Sequence, residues 1–104
     1  MGFFDKIFGS AEPAFDAKQL VQNGAIIVDV RTPGEFNSGN IKGSLNIPLD
    51  QIGTKTAFLK GKKVPIITVC RSGNRSGAAA GVLKNSGIEV HNGGAWDSLQ
   101  SRLR

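Results

Sequence analysis

Two unbroken apolar runs dominate the chain. Residues 25–30 read A-I-I-V-D-V and residues 64–69 read V-P-I-I-T-V. Runs of β-branched residues bounded by turn formers suit strands that are buried on both faces. Pro65 falls at the start of the second run, where a strand tolerates a missing donor. Around these runs the pattern changes to short segments with capping chemistry. Asp16 is an N-cap candidate with Gln19 at N3, and Phe15 and Leu20 are spaced to pack across that helix start. Gly24 then ends the helix as a left-handed cap. Thr32, Pro33 and Glu35 form a second start, as N-cap, N1 and N3, and Gly39 stops that short helix. Residues 44–47 predict a short strand closed by Pro48, 50–60 a weak helix ending near Gly61, and 75–85 a helix with Gly87 just beyond. Residues 88–91 predict another short strand, Gly93 and Gly94 a turn, and 95–103 a terminal helix carrying Trp96. Phe36, Ile41, Leu45 and Ile47 are core candidates. Strands alternating with helices predict an α/β fold, with a central, mostly parallel sheet and helices on both faces.

A length of 104 residues accommodates one domain. Residues 1–11 read as an N-terminal appendage and 12–104 as the domain. Phe4, Ile7 and Phe8 share a helical face, but so short a helix is marginal in water and is expected to pack on its own domain. No segment approaches the roughly 20 apolar residues of a transmembrane helix. The opening M-G-F-F-D-K-I-F-G-S is too short and too interrupted for a signal peptide, and Lys6 breaks the myristoylation pattern. A single cysteine excludes an internal disulfide framework, and a free thiol suits the cytoplasm.

Charge narrows the choice of partner. The chain carries 13 Lys and Arg against 8 Asp and Glu, a formal +5. These cations are scattered apart from Lys60, Lys62 and Lys63, which read as a solvated surface. A nucleic-acid interface wants a basic stripe interleaved with aromatics, so no nucleic-acid partner is expected. Attraction of small anions is the better use of this charge. One Cys and one His cannot supply the usual four zinc ligands, and no metal or cofactor is expected.

The chemistry concentrates in residues 68–77, T-V-C-R-S-G-N-R-S-G. An apolar strand runs straight into Cys70, and a helix follows the loop. In a parallel α/β sheet, ligands bind beyond the carboxyl ends of the strands. The small residues Ser72, Gly73 and Asn74 allow successive N–H groups to turn inward as an anion nest. The helix adds its positive end, and Arg71 and Arg75 add full charges. All three effects favour thiolate over thiol, which predicts a reactive Cys70 with a depressed pKa. Asp29, near the end of the first run, is expected to support this loop, by pairing with an arginine or by accepting loop N–H bonds. Arg31 and Glu35 are expected to form an internal ion pair. His91 reads as a strand-end residue and Trp96 as packing for the last helix.

Strand, cysteine, tight amide-lined loop, arginine and helix together resemble the single-domain rhodanese (sulfurtransferase) family. Residues 28–48 (V-D-V-R-T-P-G-E-F-N-S-G-N-I-K-G-S-L-N-I-P), 70–75 (C-R-S-G-N-R) and 92–96 (N-G-G-A-W) carry the likeness, which spans roughly residues 12–104. The family usually has Gly-His-Ile where this chain has Gly39, Asn40 and Ile41, so no role of that histidine carries over. The resemblance implies the rhodanese-like three-layer fold and a thiosulfate sulfurtransferase. Cys70 would take the outer sulfur of thiosulfate or a persulfide and pass it to cyanide, a thiol or a sulfur-accepting protein. Residues 71–75 would bind the anion. Two other readings stand beside it. A phosphatase or arsenate-reductase-like enzyme also uses a Cys…Arg loop, but the tyrosine-phosphatase pattern has five residues between them and this chain has four. A non-enzymatic relay or interaction module usually lacks the cysteine.

Overall fold

The computed structural model describes residues 15–104. The amphipathic face expected of Phe4, Ile7 and Phe8 lies outside the described residues, as does the boundary placed at residue 12. The elements are α1 (Ala17–Gln22), β1 (Ile26–Asp29), α2 (Pro33–Asn37), β2 (Leu45–Asn46), a 3-10 turn (Leu49–Gln51), α3 (Ile52–Gly61), β3 (Ile66–Cys70), α4 (Asn74–Asn85), β4 (Val90–Ala95) and α5 (Trp96–Arg102). The strands form one parallel sheet in the order β2-β1-β3-β4. The fold is α/β, as the alternation of elements predicts. Among the described residues no helix is long and apolar enough to cross a membrane.

Local chemistry sets most boundaries. The Asp16 side chain accepts the N–H of Gln19 at the start of α1, and Gly24 follows its end with φ +105°. Thr32 and Glu35 form a complete capping box at α2, each side chain taking the other's backbone N–H. Side chains alternate across the strands, so the two faces bury separate clusters. Val28, Val30, Ile66 and Val90 pack with Ile52 and Leu59 of α3 and Ala79, Ala80 and Leu83 of α4. Ile27, Ile67 and Val69 pack with Ala17 of α1, Ile41 and Leu99 of α5. Leu45 does not join either core. It stays 36% exposed on the two-residue edge strand β2, whose outer side no further strand among the described residues covers.

The last strand departs from expectation. Gly93 and Gly94 form no turn; they lie inside β4, which begins at Val90 and runs to Ala95. Close packing explains the glycine at position 93. A Cβ there would meet Ile67 Cγ2 at 2.9 Å, the Thr68 carbonyl oxygen at 2.9 Å and Val69 Cγ1 at 3.0 Å. Pairing passes from Thr68↔Asn92 to Cys70↔Ala95, so β4 holds one more residue than β3 over this stretch. Gly94, at φ +77°, takes up that irregularity.

The topology creates one switch point. From β1 the chain moves to the β2 edge, and from β3 it moves to the β4 edge. The carboxyl ends of β1 and β3 therefore flank a crevice from which the connections diverge. Cys70 ends β3 there, and Asp29 ends β1 beside Val69.

Candidate active site

Every residue of β3 is buried, which delivers Cys70 rigidly to the switch point. The chain then turns through residues 71–73. Gly73 adopts φ +102°, a left-handed conformation that costs a residue with a Cβ about 1–2 kcal/mol. This turn brings the Gly73 N–H to 3.0 Å from Cys70 Sγ, and the Ser76 N–H of the first turn of α4 lies 3.4 Å from it. Helix α4 has no side-chain N-cap bond, and the sulfur takes the acceptor role that a cap would fill. A negative sulfur there also meets the positive end of a twelve-residue helix.

Ser76 and Asn92 complete the surroundings from below. The Cys70 thiol donates to Ser76 Oγ at 3.4 Å, and the Ser76 hydroxyl donates to Asn92 Oδ1 at 2.7 Å. Asn92 Nδ2 donates to the Gly73 carbonyl at 3.2 Å, and its Oδ1 accepts the Gly94 N–H at 3.0 Å. Thr68 Oγ1 donates to the Ser76 carbonyl, tying α4 to β3. Burial pushes the Cys70 thiol up, but the Ser76 hydroxyl and the N–H groups of Ser76, Gly73 and Ser72 outweigh it. The net effect holds the thiol below its ordinary 9.0. Cys70 itself is 1% exposed, so the sulfur lies beneath its own loop and suits small reagents.

The ion pairs differ from those expected. Arg31 does not pair with the Glu35 carboxylate, and Asp29 does pair with an arginine, but with Arg31 rather than one of the cysteine loop. Asp29 and Arg31 are both buried and form one unit: Oδ2 accepts Nη2 at 2.7 Å, and Oδ1 accepts Nε at 2.9 Å and the Arg31 N–H at 3.0 Å. Arg31 also donates to the carbonyls of Glu35 and Gly39 and lies 4.7 Å over the Trp96 ring. Glu35 instead meets Arg75 in a bidentate pair at 2.7 and 3.0 Å, each side chain about one-third exposed. Two residues apart on an extended chain, Asp29 and Arg31 project to the same side. Glu35, on the first turn of α2, faces the first turn of α4.

That pair predicts a measurable pH effect. Hydrogen bonds from Arg75 and from the Thr32 N–H lower the Glu35 pKa from 4.5 to about 2. A carboxylate with a depressed native pKa adds stability that is fully present above its unfolded value and is lost as pH falls toward the native one. The melting temperature of wild type is therefore expected to fall faster between pH 4.5 and 2 than that of Glu35→Gln. Parallel melting curves for the two proteins across this window would show that the pair contributes nothing.

The remaining candidates separate by position. Arg71, Ser72 and Asn74 are exposed at the rim of the loop. Among the described residues the Arg71 guanidinium has no hydrogen-bond or ion-pair partner. His91 stacks on Phe15 at 4.8 Å, across the sheet from the sulfur. Trp96 packs against the α1 and α5 side. Asn40 donates to the Phe36 carbonyl at 2.8 Å and so serves the end of α2. Among the described residues no group of three or more His, Cys, Asp or Glu is placed to hold a metal ion. Sequence reasoning missed Asn92 as a site residue. Its signal, a polar side chain followed by two glycines, reads as a turn until β4 is seen to run beneath the loop.

The rhodanese-like domain model matches residues 14–97. The chain belongs to the rhodanese-like domain family. Thiosulfate sulfurtransferase GlpE of Pseudomonas aeruginosa is 37% identical over 72 residues, covering 69% of this chain and 64% of GlpE. The uncharacterised protein YqhL of Bacillus subtilis is 39% identical over 69 residues, covering 65% of this chain and 54% of YqhL. The match thus spans less than two-thirds of either relative's length. A rhodanese-related protein from Thermoplasma volcanium superposes with a TM-score of 0.71 at 29% identity, covering 86% of this chain and 92% of its own. In this chain, residues of the other two segments that carry the likeness meet the cysteine loop and the start of α4, Glu35 at Arg75 and Asn92 at Ser76.

Proposed function

We propose that the protein is a sulfurtransferase that carries a sulfane sulfur on Cys70. One observation carries this reading: the N–H groups of Gly73 and Ser76 converge on a thiol whose pKa is held down. The thiolate attacks the outer sulfur of thiosulfate, an S–S bond forms to Cys70, and sulfite departs with the electron pair of the broken bond. The enzyme is left with a persulfide whose terminal sulfur carries the charge. Cyanide or a thiolate then attacks that sulfur and regenerates the Cys70 thiolate. A second protein could accept the sulfur by the same step. The loop amides stabilise anionic sulfur as an oxyanion hole stabilises oxygen. A thiol already inclined to ionise needs no general base, which accords with a histidine on the far side of the sheet. The reducing cytoplasm keeps such a thiol free.

The same geometry argues against phosphoryl chemistry. Four residues separate Cys70 from Arg75, one fewer than in the tyrosine-phosphatase pattern, and Glu35 holds Arg75 through both terminal nitrogens, so the loop is tight for a tetrahedral phosphate. The test is direct. Incubation with thiosulfate should add one sulfur atom to the intact mass, cyanide should remove it, and initial rates should follow a ping-pong pattern. A protein that never gains sulfur from thiosulfate or a persulfide donor refutes the reading.

Arg71 is the candidate for recruiting the donor. Thiosulfate carries two negative charges, and repulsion from a thiolate at 4 Å is about 1 kcal/mol per pair of unit charges even in bulk water. Arg71 is exposed beside the nucleophile and unengaged among the described residues. Arg71→Ala is expected to raise KM for thiosulfate more than it lowers kcat and to flatten the salt dependence of kcat/KM. Steady-state kinetics at two ionic strengths read both effects. An unchanged KM with an unchanged salt response would mean that this side chain merely faces solvent.

A further inference from the structure

We infer that Asn92 is a positioning residue of the sulfur site, acting on Cys70 through a hydroxyl proton of Ser76 that the two residues share. The inference rests on the reading of Cys70 as the sulfur carrier. Asn92 is a polar residue only 5% exposed, set on β4 by the irregular pairing around Gly93 and Gly94. The Gly94 N–H at 3.0 Å from Oδ1 and the Gly73 carbonyl at 3.2 Å from Nδ2 fix which end of the amide is oxygen. That oxygen faces Ser76 Oγ at 2.7 Å. Ser76 is fully buried and has one hydroxyl proton to give.

Two acceptors compete for that proton. While Cys70 is a thiol, its own S–H points to Ser76 Oγ and the Ser76 proton points to Asn92. When the thiol ionises, its proton leaves for solvent and the sulfur becomes an acceptor. The Ser76 proton then turns to the sulfur, and Asn92 Oδ1 keeps the Gly94 N–H. Ionisation thus breaks the Ser76–Asn92 bond. Loading with sulfur reverses the change, because the negative charge moves to the outer sulfur and Ser76 returns to Asn92. Asn92 therefore opposes the bare thiolate and favours both neutral forms of Sγ, thiol and persulfide. The charged groups around the sulfur are already paired or exposed: Arg75 with Glu35, Asp29 with Arg31, and Arg71 at the rim. β4 contributes His91, which faces Phe15 on the other side of the sheet.

Asn92→Leu keeps approximate size and removes the acceptor. Iodoacetamide alkylation of Cys70 across pH separates ionisation from access, since ionisation moves the acid limb and access moves the alkaline plateau. The expected result is an acid-limb rate about three- to tenfold faster, the size of one neutral hydrogen bond, with the plateau unchanged. In a Ser76→Ala background the same substitution is expected to leave the acid limb where it was. At a fixed thiosulfate-to-sulfite ratio, the persulfide-to-thiolate ratio of Asn92→Leu is expected to fall by a similar factor. Should the leucine variant not fold, Asn92→Ala is measured in the same way with the same expectations. An acid limb that slows or does not move overturns the inference, and so does an equal acceleration in the Ser76→Ala background. Alkylation needs no sulfur transfer. A wild-type protein that gains no sulfur while the acid limb shifts as expected would defeat the sulfurtransferase reading and leave the shared proton standing.

Discussion

Cys70→Ser is expected to abolish sulfur transfer, with kcat/KM falling by roughly three orders of magnitude or more, while the fold is kept. Serine cannot ionise near neutral pH, and its oxygen is a poor nucleophile toward sulfane sulfur. It is nevertheless an acceptor of nearly the same size. The Gly73 and Ser76 N–H groups that now meet Sγ therefore keep a partner, and the amino end of α4 keeps its cap. The mass gain after thiosulfate should vanish, and the thermal melt should stay close to that of wild type. Turnover above a few per cent of wild type in the serine variant would mean that another group carries the sulfur. A collapse of the melting temperature would mean that the thiol is needed for folding, and the loss of activity would then carry no mechanistic weight.

Asp29→Ala should be the most destabilising change in the site region. Arg31 is 4% exposed and Asp29 0%, and the pair shares several short bonds. Removing the carboxylate strands a buried guanidinium, a change that typically costs about 3–5 kcal/mol. For a domain of this size each kcal/mol lowers the melting temperature by about 4–8 °C. Total stabilities lie near 5–15 kcal/mol, so the variant should be partly unfolded at moderate temperature. Asp29→Asn keeps the shape and some acceptor capacity and should fall between the two. Denaturant melts of the three proteins make the comparison. A loss below about 1 kcal/mol for the alanine variant would show that the Glu35 and Gly39 carbonyls and the Trp96 ring suffice to hold Arg31.

Much of the framework was legible along the chain because it depends on near neighbours. The apolar runs at 25–30 and 64–69 become β1 and β3, because β-branched side chains on alternating sides suit a strand covered twice. The Thr32–Glu35 capping box forms as its spacing implies, since both bonds close within three residues. The position of Cys70 at the mouth of the sheet follows from the same local logic, an apolar run ending in a cysteine, a glycine turn and a helix start. What the sequence could not order was the set of long-range partners. Three candidate ionic groups lie between residues 29 and 35, and a fourth stands at 75. Which acid meets which base depends on how α2 is set against α4, and spacing alone led to the wrong pairing.

Asn92 shows the same limit more sharply. By itself the sequence determined the parallel α/β framework, the helix starts and the cysteine loop, because hydrophobic periodicity and capping act over a few residues. Only the tertiary structure decided that Arg75 belongs to Glu35 and Arg31 to Asp29, and that Gly93 is a glycine of close approach rather than of a turn. It also decided that Asn92 lies beneath the sulfur. The Asn92 contacts arise where β4 runs under the β3–α4 turn, between groups sixteen and nineteen residues apart in the chain. A buried hydrogen bond selects its partner by distance in space, and sequence separation carries no record of that choice.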